Sequence, residues 1–260
     1  MPGGHQPFAA VSRELRGTRF SDIRYAESTG STNADAAPLL GDESAYGATI
    51  VADVQTQGAG RKGRTWIAEP GSSLLMTTIL PRSMPASHLW VVPFGVAICV
   101  RRALVLNGVQ AEMQWPNDLL LDGKKIAGIL CISRVVGDRA WVAAGVGINI
   151  HRMPGADTEI TPPPAFADDV APSIDRAHLL RDILLNYEVW EETIDMPPRI
   201  ARVWERQAGL PGKPYRILKD GATEPVDVTA LSLATGGGLF VQHPDGTRET
   251  ISLADARALR

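Results

Sequence analysis

Between Ala111 and Ile148 three strand-like runs follow one another with only short turns between them, and this succession constrains the fold most. The runs are about Ala111 to Trp115, Lys125 to Ser133 and Ala140 to Ile148. Leu121-Asp122-Gly123-Lys124 joins the first two as a hairpin turn does, and Val136-Gly137-Asp138 joins the next pair. A parallel crossover needs a dozen or more residues, usually a helix, so these strands pair antiparallel. The chain therefore belongs to the α+β class, with a mixed, largely antiparallel central sheet flanked by helices, and not to the doubly wound folds.

Further elements fit that frame. Gly47 to Gln57 and Ser72 to Leu80 read as buried strands, the first rich in β-branched residues. His88 to about Leu106 has helical apolar spacing and ends near Gly108, although Pro93 leaves its start open. Ser173 and Asp175 open a helix that carries Leu180, Ile183, Leu184 and Tyr187 on one face, and Arg199 to Ala208 forms another, stopped by Gly209. Gly209-Leu210-Pro211-Gly212-Lys213-Pro214 reads as a boundary. Beyond it lie short runs at Tyr215–Leu218, Val226–Leu233, Leu239–Gln242 and Glu249–Ser252, parted by glycine turns, which predict a small β-barrel. The expected organisation is a lead-in over 1–21, a large domain over 22–209 and the barrel over 210–260. Residues 151–172, rich in Pro, Asp and Ala, read as a loop of unassigned role.

Composition removes several classes of function. With 44% hydrophobic and 21% charged residues in 260, the chain has the make-up of a globular protein. A net charge of −3 gives no bulk attraction for nucleic acid. Cys99 and Cys131, both in apolar runs, are too few for a disulfide framework or zinc site and predict buried thiols. The N-terminus lacks a signal-peptide core, and the apolar run Leu89–Val100 is interrupted by Pro93 and stops at Arg101-Arg102. That is short of the roughly 20 residues of a membrane helix, so the expectation is a soluble cytoplasmic protein without membrane or nucleic-acid partners.

The loop Gln57-Gly58-Ala59-Gly60-Arg61-Lys62-Gly63-Arg64-Thr65-Trp66 follows a strand and literally contains G-x-G-x-x-G. The dinucleotide fingerprint must open a helix and expects an acidic residue roughly 20 positions on. Here Pro70-Gly71 follows at once, and no Asp or Glu occurs between Glu69 and Glu112. No P-loop pattern is present either. What remains is a flexible backbone bearing Arg61, Lys62 and Arg64, suited to a phosphate or carboxylate, with Trp66 offering a flat face to a ring. Taken alone it reads equally well as a solvated basic turn.

Four other motifs stand out. Trp115-Pro116-Asn117-Asp118 is a turn by composition, or a site for a metal or ammonium. Lys125, preceding Ile126-Ala127-Gly128-Ile129-Leu130, points to solvent or sets a charge in a pocket. Gly145-Val146-Gly147-Ile148-Asn149 implies close backbone packing, with Asn149 able to meet a base edge. Ser28-Thr29-Gly30-Ser31-Thr32-Asn33 caps a helix beginning at Ala34, or grips a polar head group.

In this order and at this spacing the five motifs, over residues 28–149, resemble the biotin–protein ligase family. The resemblance implies a class II aminoacyl-tRNA-synthetase-like catalytic domain followed by an SH3-like β-barrel. It implies formation of biotinyl-5′-AMP from biotin and Mg-ATP, then transfer of biotin to a lysine of a biotin carboxyl carrier protein. By position, Ser31, Thr32, Asn33, Gln55, Gly58, Ala59, Gly60, Arg61, Lys125 and Gly128 would bind biotin. Arg61, Arg64, Trp66, Asn117, Lys125 and Asn149 would bind ATP or the adenylate. Arg61, Lys125 and Asp118 would be catalytic, with Asn117 and Asp118 near Mg2+. ATP, Mg2+ and biotin are then co-substrate, metal and substrate, with no tightly bound prosthetic group. A weak homodimer is a further expectation of the resemblance. Ala59 stands where many relatives carry a basic residue, and Lys62 replaces a common arginine. With about 20 residues before the first motif, a ligase without a DNA-binding domain or repressor function is expected. Two rivals are a lipoate- or octanoate-attaching relative, whose Arg-Arg-x-x-Gly-Gly-Gly motif is absent, and a non-catalytic biotin-binding module.

Overall fold

The computed structural model describes residues 7–160, 162–194, 196–254 and 256–259. An eight-stranded sheet contains β1 (Ile23–Thr29), β2 (Thr49–Gln55), β3 (Ser73–Ile79), β4 (Met84–Pro85), β5 (Glu112–Gln114), β6 (Asp118–Leu121), β7 (Lys124–Val136) and β8 (Arg139–Asn149). Its order is β1-β2-β3-β8-β7-β6-β5, with β4 on β8. β1 and β2 are parallel and the other pairs antiparallel, so the sheet is mixed as expected. Asp122 (φ 50°) and Gly123 (φ 75°) supply the two positive φ values that a tight β6–β7 turn needs. The turn closes on β6, a strand not anticipated within the Trp115–Leu121 stretch; β5 and β6 pair through Gln114 and Asp118.

Among the described residues, six α-helices accompany the strands: α1 (Ala9–Glu14), α2 (Thr32–Ala36), α3 (Val92–Leu106), α4 (Ala156–Glu159), α5 (Arg176–Glu191) and α6 (Pro197–Ala208). The expected lead-in is structured in part: Phe8, Val11, Leu15 and Phe20 are buried in the main core, and Phe8 meets Tyr25 with ring centroids 5.9 Å apart. Six helical residues are too few to show a period in sequence. Asp175 caps α5 by accepting from the His178 N–H at 2.9 Å, and Leu180, Ile183, Leu184 and Tyr187 are all buried.

A 3₁₀ stretch, Ala86–Val91, leads into α3, and Pro93 falls in the first turn of the α-helix. The combined Ala86–Leu106 segment is 21 residues long and passes a membrane span's test of length and composition, which corrects the shorter estimate from sequence. Its Val92, Phe94, Val96, Val100 and Leu104 are buried in the main core, and α3 packs on α5 and α6. Cys99 is buried and Cys131 half-buried, so the expected burial is complete only for the first. Burial pushes both thiols up, Cys131 to about 12, which keeps them protonated at neutral pH.

The C-terminal region is a five-stranded antiparallel sheet of β9 (Lys213–Lys219), β10 (Val226–Leu233), β11 (Leu239–Gln242), β12 (Arg248–Ile251) and β13 (Ala256–Ala258), in the order β12-β11-β10-β9-β13. Its Tyr215, Ile217, Val228, Ala230, Leu239, Val241 and Ile251 continue the main core. Trp115, fully buried, donates from Nε1 to the Gly237 carbonyl at 2.9 Å and from its N–H to Tyr215 Oη at 3.3 Å, joining the two sheets.

Candidate active site

The face of the large sheet that carries α2 holds a cleft lined by Ser31, Thr32, Asn33, Gln55, Ala59–Arg61, Arg64–Ile67, Met76, Asn117, Lys125, Gly128–Leu130, Gly145–Gly147, Asn149, Ile160, Pro162 and Pro164. Side chains alternate along a strand, so Gly145, Gly147 and Asn149 of β8 share one face with Ala143, which packs under α2. Gly128 and Gly147 are register partners, as are Leu130 and Gly145. The missing side chains leave a trough. A Cβ on Gly147 would stand 2.9 Å from the Trp66 indole, and one on Gly128 would stand 2.8 Å from Lys125 Nζ and 3.1 Å from Trp66. A Cβ on Gly145 would run into the Asn33 amide. The glycines therefore seat Trp66 and Asn33. Lys125 Nζ lies 5.4 Å from the Trp66 ring centroid, a cation–π distance. Trp66 Nε1 is buried without an acceptor among the described residues.

The glycine–arginine loop forms a short hairpin-like arch. The Trp66 N–H donates to the Gly58 carbonyl at 2.9 Å, the Gly60 N–H to the Arg64 carbonyl at 2.6 Å, and Ala59 pairs with Thr65. Lys62 (φ 57°) and Gly63 (φ 72°) make the tip. Gly58 stands at the base of the arch, outside the cleft lining, and has a closing role there: a Cβ on it would lie 2.9 Å from the Trp66 carbonyl oxygen. Arg61 is half-buried, donating to the Leu253 carbonyl at 2.5 Å and to Asn117 Oδ1 at 3.4 Å. Burial lowers its pKa, with Asp118 opposing that shift, so the guanidinium stays charged in a site short of water.

Lys125 reaches the cleft from the start of β7, and its Nζ lies 2.7 Å from Asp118 Oδ1. Asp118 is buried behind it and does not line the cleft. Asn117, in the turn before β6, donates to the Ile129 carbonyl at 2.7 Å. Of the oxygens proposed for Mg2+, Asn117 Oδ1 thus faces Arg61 and Asp118 Oδ1 faces Lys125, and the pair offers one carboxylate. Among the described residues no cluster of three His, Cys, Asp or Glu exists. The two residues do not fit a protein-held metal site; they set the two cations in place.

At the other end, Gln55 Oε1 accepts from the Thr32 N–H at 2.8 Å and from Thr32 Oγ1 at 3.0 Å. A glutamine distant in sequence thus caps α2, which begins at Thr32 and not at Ala34, while Ser31 makes no side-chain capping bond. Thr77 Oγ1 lies 2.8 Å from Thr32 Oγ1 and 2.9 Å from Asn33 Oδ1, its single proton shared between the two, and Asn33 Nδ2 donates to the Leu130 carbonyl. Asn149 lines the cleft, but its NH2 group is taken by the Lys125 and Ala165 carbonyls, at 3.2 and 3.1 Å. The expected reading of a base edge by that NH2 gives way to a joining role. It ties β7 to the proline-rich segment, whose Ile160, Pro162 and Pro164 wall the cleft. Nothing in sequence marked those three residues; Gly145 and Gly147 were marked only by their glycine spacing.

Comparison with known proteins gives the family and the fold. The model of the biotin/lipoate A/B protein ligase family matches residues 25–149. A Paracoccus denitrificans protein named biotin–[acetyl-CoA-carboxylase] ligase is 30% identical over 239 residues, which cover 87% of this chain and 96% of that one. The chain belongs to the biotin protein ligase family. A bifunctional ligase/repressor BirA of Bacillus subtilis is 32% identical over 168 residues, 63% of this chain; the chain spans about half of that relative's length, 52%. The biotin protein ligase of Aquifex aeolicus, solved with biotin and ATP, superposes with a TM-score of 0.73 at 21% identity, covering 93% of this chain and 100% of that one, which establishes a shared fold. Within the family's matched region lie the Ser-Thr-Asn run, the arch, Lys125 and Asn149.

Proposed function

We propose that the chain activates biotin with ATP to give biotinyl-5′-AMP and pyrophosphate, then transfers the biotinyl group to a lysine of a carrier protein. One observation carries this reading: Arg61 and Lys125 aim two cations into one cleft walled by Trp66, glycines and amides. Joining a carboxylate to a phosphate brings two anions together, and fixed cations stabilise the charge that builds up between them. In the first step a biotin carboxylate oxygen bonds to the α-phosphorus while the bond to pyrophosphate breaks. In the second, the neutral lysine amine attacks the acyl carbon, AMP leaves with the bonding electrons, and the amine loses a proton.

Ser31, Thr32 and Gln55 are suited to the polar head group of biotin, and Trp66 to the adenylate. Arg61, Arg64 and Lys125 are suited to the reacting carboxylate and α-phosphate. Mg2+ carried on the triphosphate would supply further positive charge to the reacting phosphates, with Asn117 and Asp118 as the residues that would face it. The name of the Paracoccus relative points to the carrier domain of an acyl-CoA carboxylase as acceptor.

The test is incubation of the chain with ATP, biotin and a carrier domain. Pyrophosphate release and biotin-dependent labelling of the carrier are expected. Absence of both overturns the reading. Labelling by lipoate in place of biotin would assign the chain to the other branch of its family.

A further inference from the structure

The arch that covers the cleft leans on the C-terminal sheet at two points. Arg61, an arch residue, donates to the Leu253 carbonyl in the β12–β13 connection. At the tip, Lys62 Nζ lies 2.5 Å from Asp220 Oδ1 in the turn that ends β9. The bonds that close the arch on itself run between Gly58 and Trp66 and between Gly60 and Arg64 at its base, while across the tip only long bonds of 3.4 Å join Arg64 to the Arg61 carbonyl, so the Lys62 side chain is held from outside. The charge of Asp220 also reaches Arg61 and favours its cationic form. Asp220 itself does not line the cleft and is mostly exposed, its side chain at 58%.

The geometry points to Asp220 as a positioning residue. By holding Lys62 it keeps the arch closed and thereby retains the acyl-adenylate between its formation and its use. This rests on the proposed ligase activity. An arch over a reactive anhydride has to open for substrates and close against water. A partly exposed ion pair suits that duty because its strength is small and reversible. The C-terminal sheet thus acts on the chemistry through the Lys62–Asp220 contact without supplying a group that touches substrate.

The experiment uses the full chain loaded with radiolabelled biotinyl-5′-AMP and follows release into a filtrate containing excess unlabelled biotin and ATP. Asp220→Asn is expected to release the adenylate about two- to fivefold faster, the range that a surface ion pair commands, with pyrophosphate formation unchanged. The charge exchange Lys62→Asp with Asp220→Lys is expected to restore slow release. Raising salt from about 50 mM to about 500 mM should speed release from the parent chain and leave Asp220→Asn unaffected. Lys62→Gln removes the same contact from the other side and is read in the same way if Asp220→Asn fails to fold. Equal release from parent and variants, or no recovery on charge exchange, overturns the proposal. A parent chain that forms no adenylate overturns the ligase reading instead.

Discussion

Lys125 shows how little of a residue's duty its own position reveals. A lysine at a strand entrance is ordinarily solvated, yet here Asp118 behind it and the Trp66 face beside it hold the ammonium in the cleft. Lys125→Met removes a cation aimed at the developing charge, and pyrophosphate formation is expected to slow by about 10²- to 10³-fold, the usual effect of removing one stabilising group. A quenched-flow assay of the first step checks this. Gly147→Ala tests the trough. The added methyl would meet the indole at 2.9 Å, so Trp66 must leave its seat. The expected loss of about 1–3 kcal/mol of stability is read from the denaturation midpoint, together with a weaker affinity for ATP.

At the scale of elements, the segment after β8 is held by Arg152 as much as by its own backbone. Arg152 binds both oxygens of Asp169 at 2.9 and 2.7 Å and Asp157 at 2.7 Å, and lies 5.0 Å from the Phe166 ring centroid. These contacts join the two flanks of the stretch bearing Ile160, Pro162 and Pro164. On the proposed reading that wall stands at the nucleotide end, because Asn149 ties it to the Lys125 carbonyl. Arg152→Gln should raise KM for ATP several-fold with little change in KM for biotin, as steady-state kinetics with each substrate varied will show. Arg152 also holds the Asp169 carboxyl below the usual carboxylate range. A depressed acid adds stability above its unfolded value of about 3.9 and loses it as pH falls through the lower folded value. Hydrogen exchange over 153–169 should therefore quicken, relative to the rest of the chain, only below about pH 4, and the Gln variant should lack that acid step.

Across the whole molecule, one hydrophobic core runs from α1 through the large sheet into the C-terminal sheet. Shared burial couples the unfolding of two regions, so calorimetry should give a single transition despite the glycine- and proline-rich junction at Gly209–Pro214. Trp115→Phe keeps most of the packing but leaves the Gly237 carbonyl without its indole donor. A cost of about 1–3 kcal/mol is expected for the unpaired buried group, seen as a downward shift of that one transition. A split into two transitions would separate the regions.

The sequence by itself determined the α+β class, the antiparallel pairing of β7 with β8, the buried face of α5, the span of α6, and the set of motifs that meet at the cleft. Those features are local: strand alternation, turn residues with positive φ, and helix periodicity are written within a few residues of one another. It missed β1, whose burial does not alternate cleanly, the short elements β4, β6, β13, α1 and α4, and the wall formed by Ile160, Pro162 and Pro164, which carries no chemical signature. Only the tertiary structure decided which polar atoms are already taken. The amide of Asn149 serves two carbonyls, Gln55 caps a helix, and the oxygens of Asn117 and Asp118 serve cations. It alone brought Arg61 to Leu253, 192 residues away in the chain. Such pairings follow from how whole sheets pack, and no local pattern of residues encodes the distance between two atoms that distant in sequence.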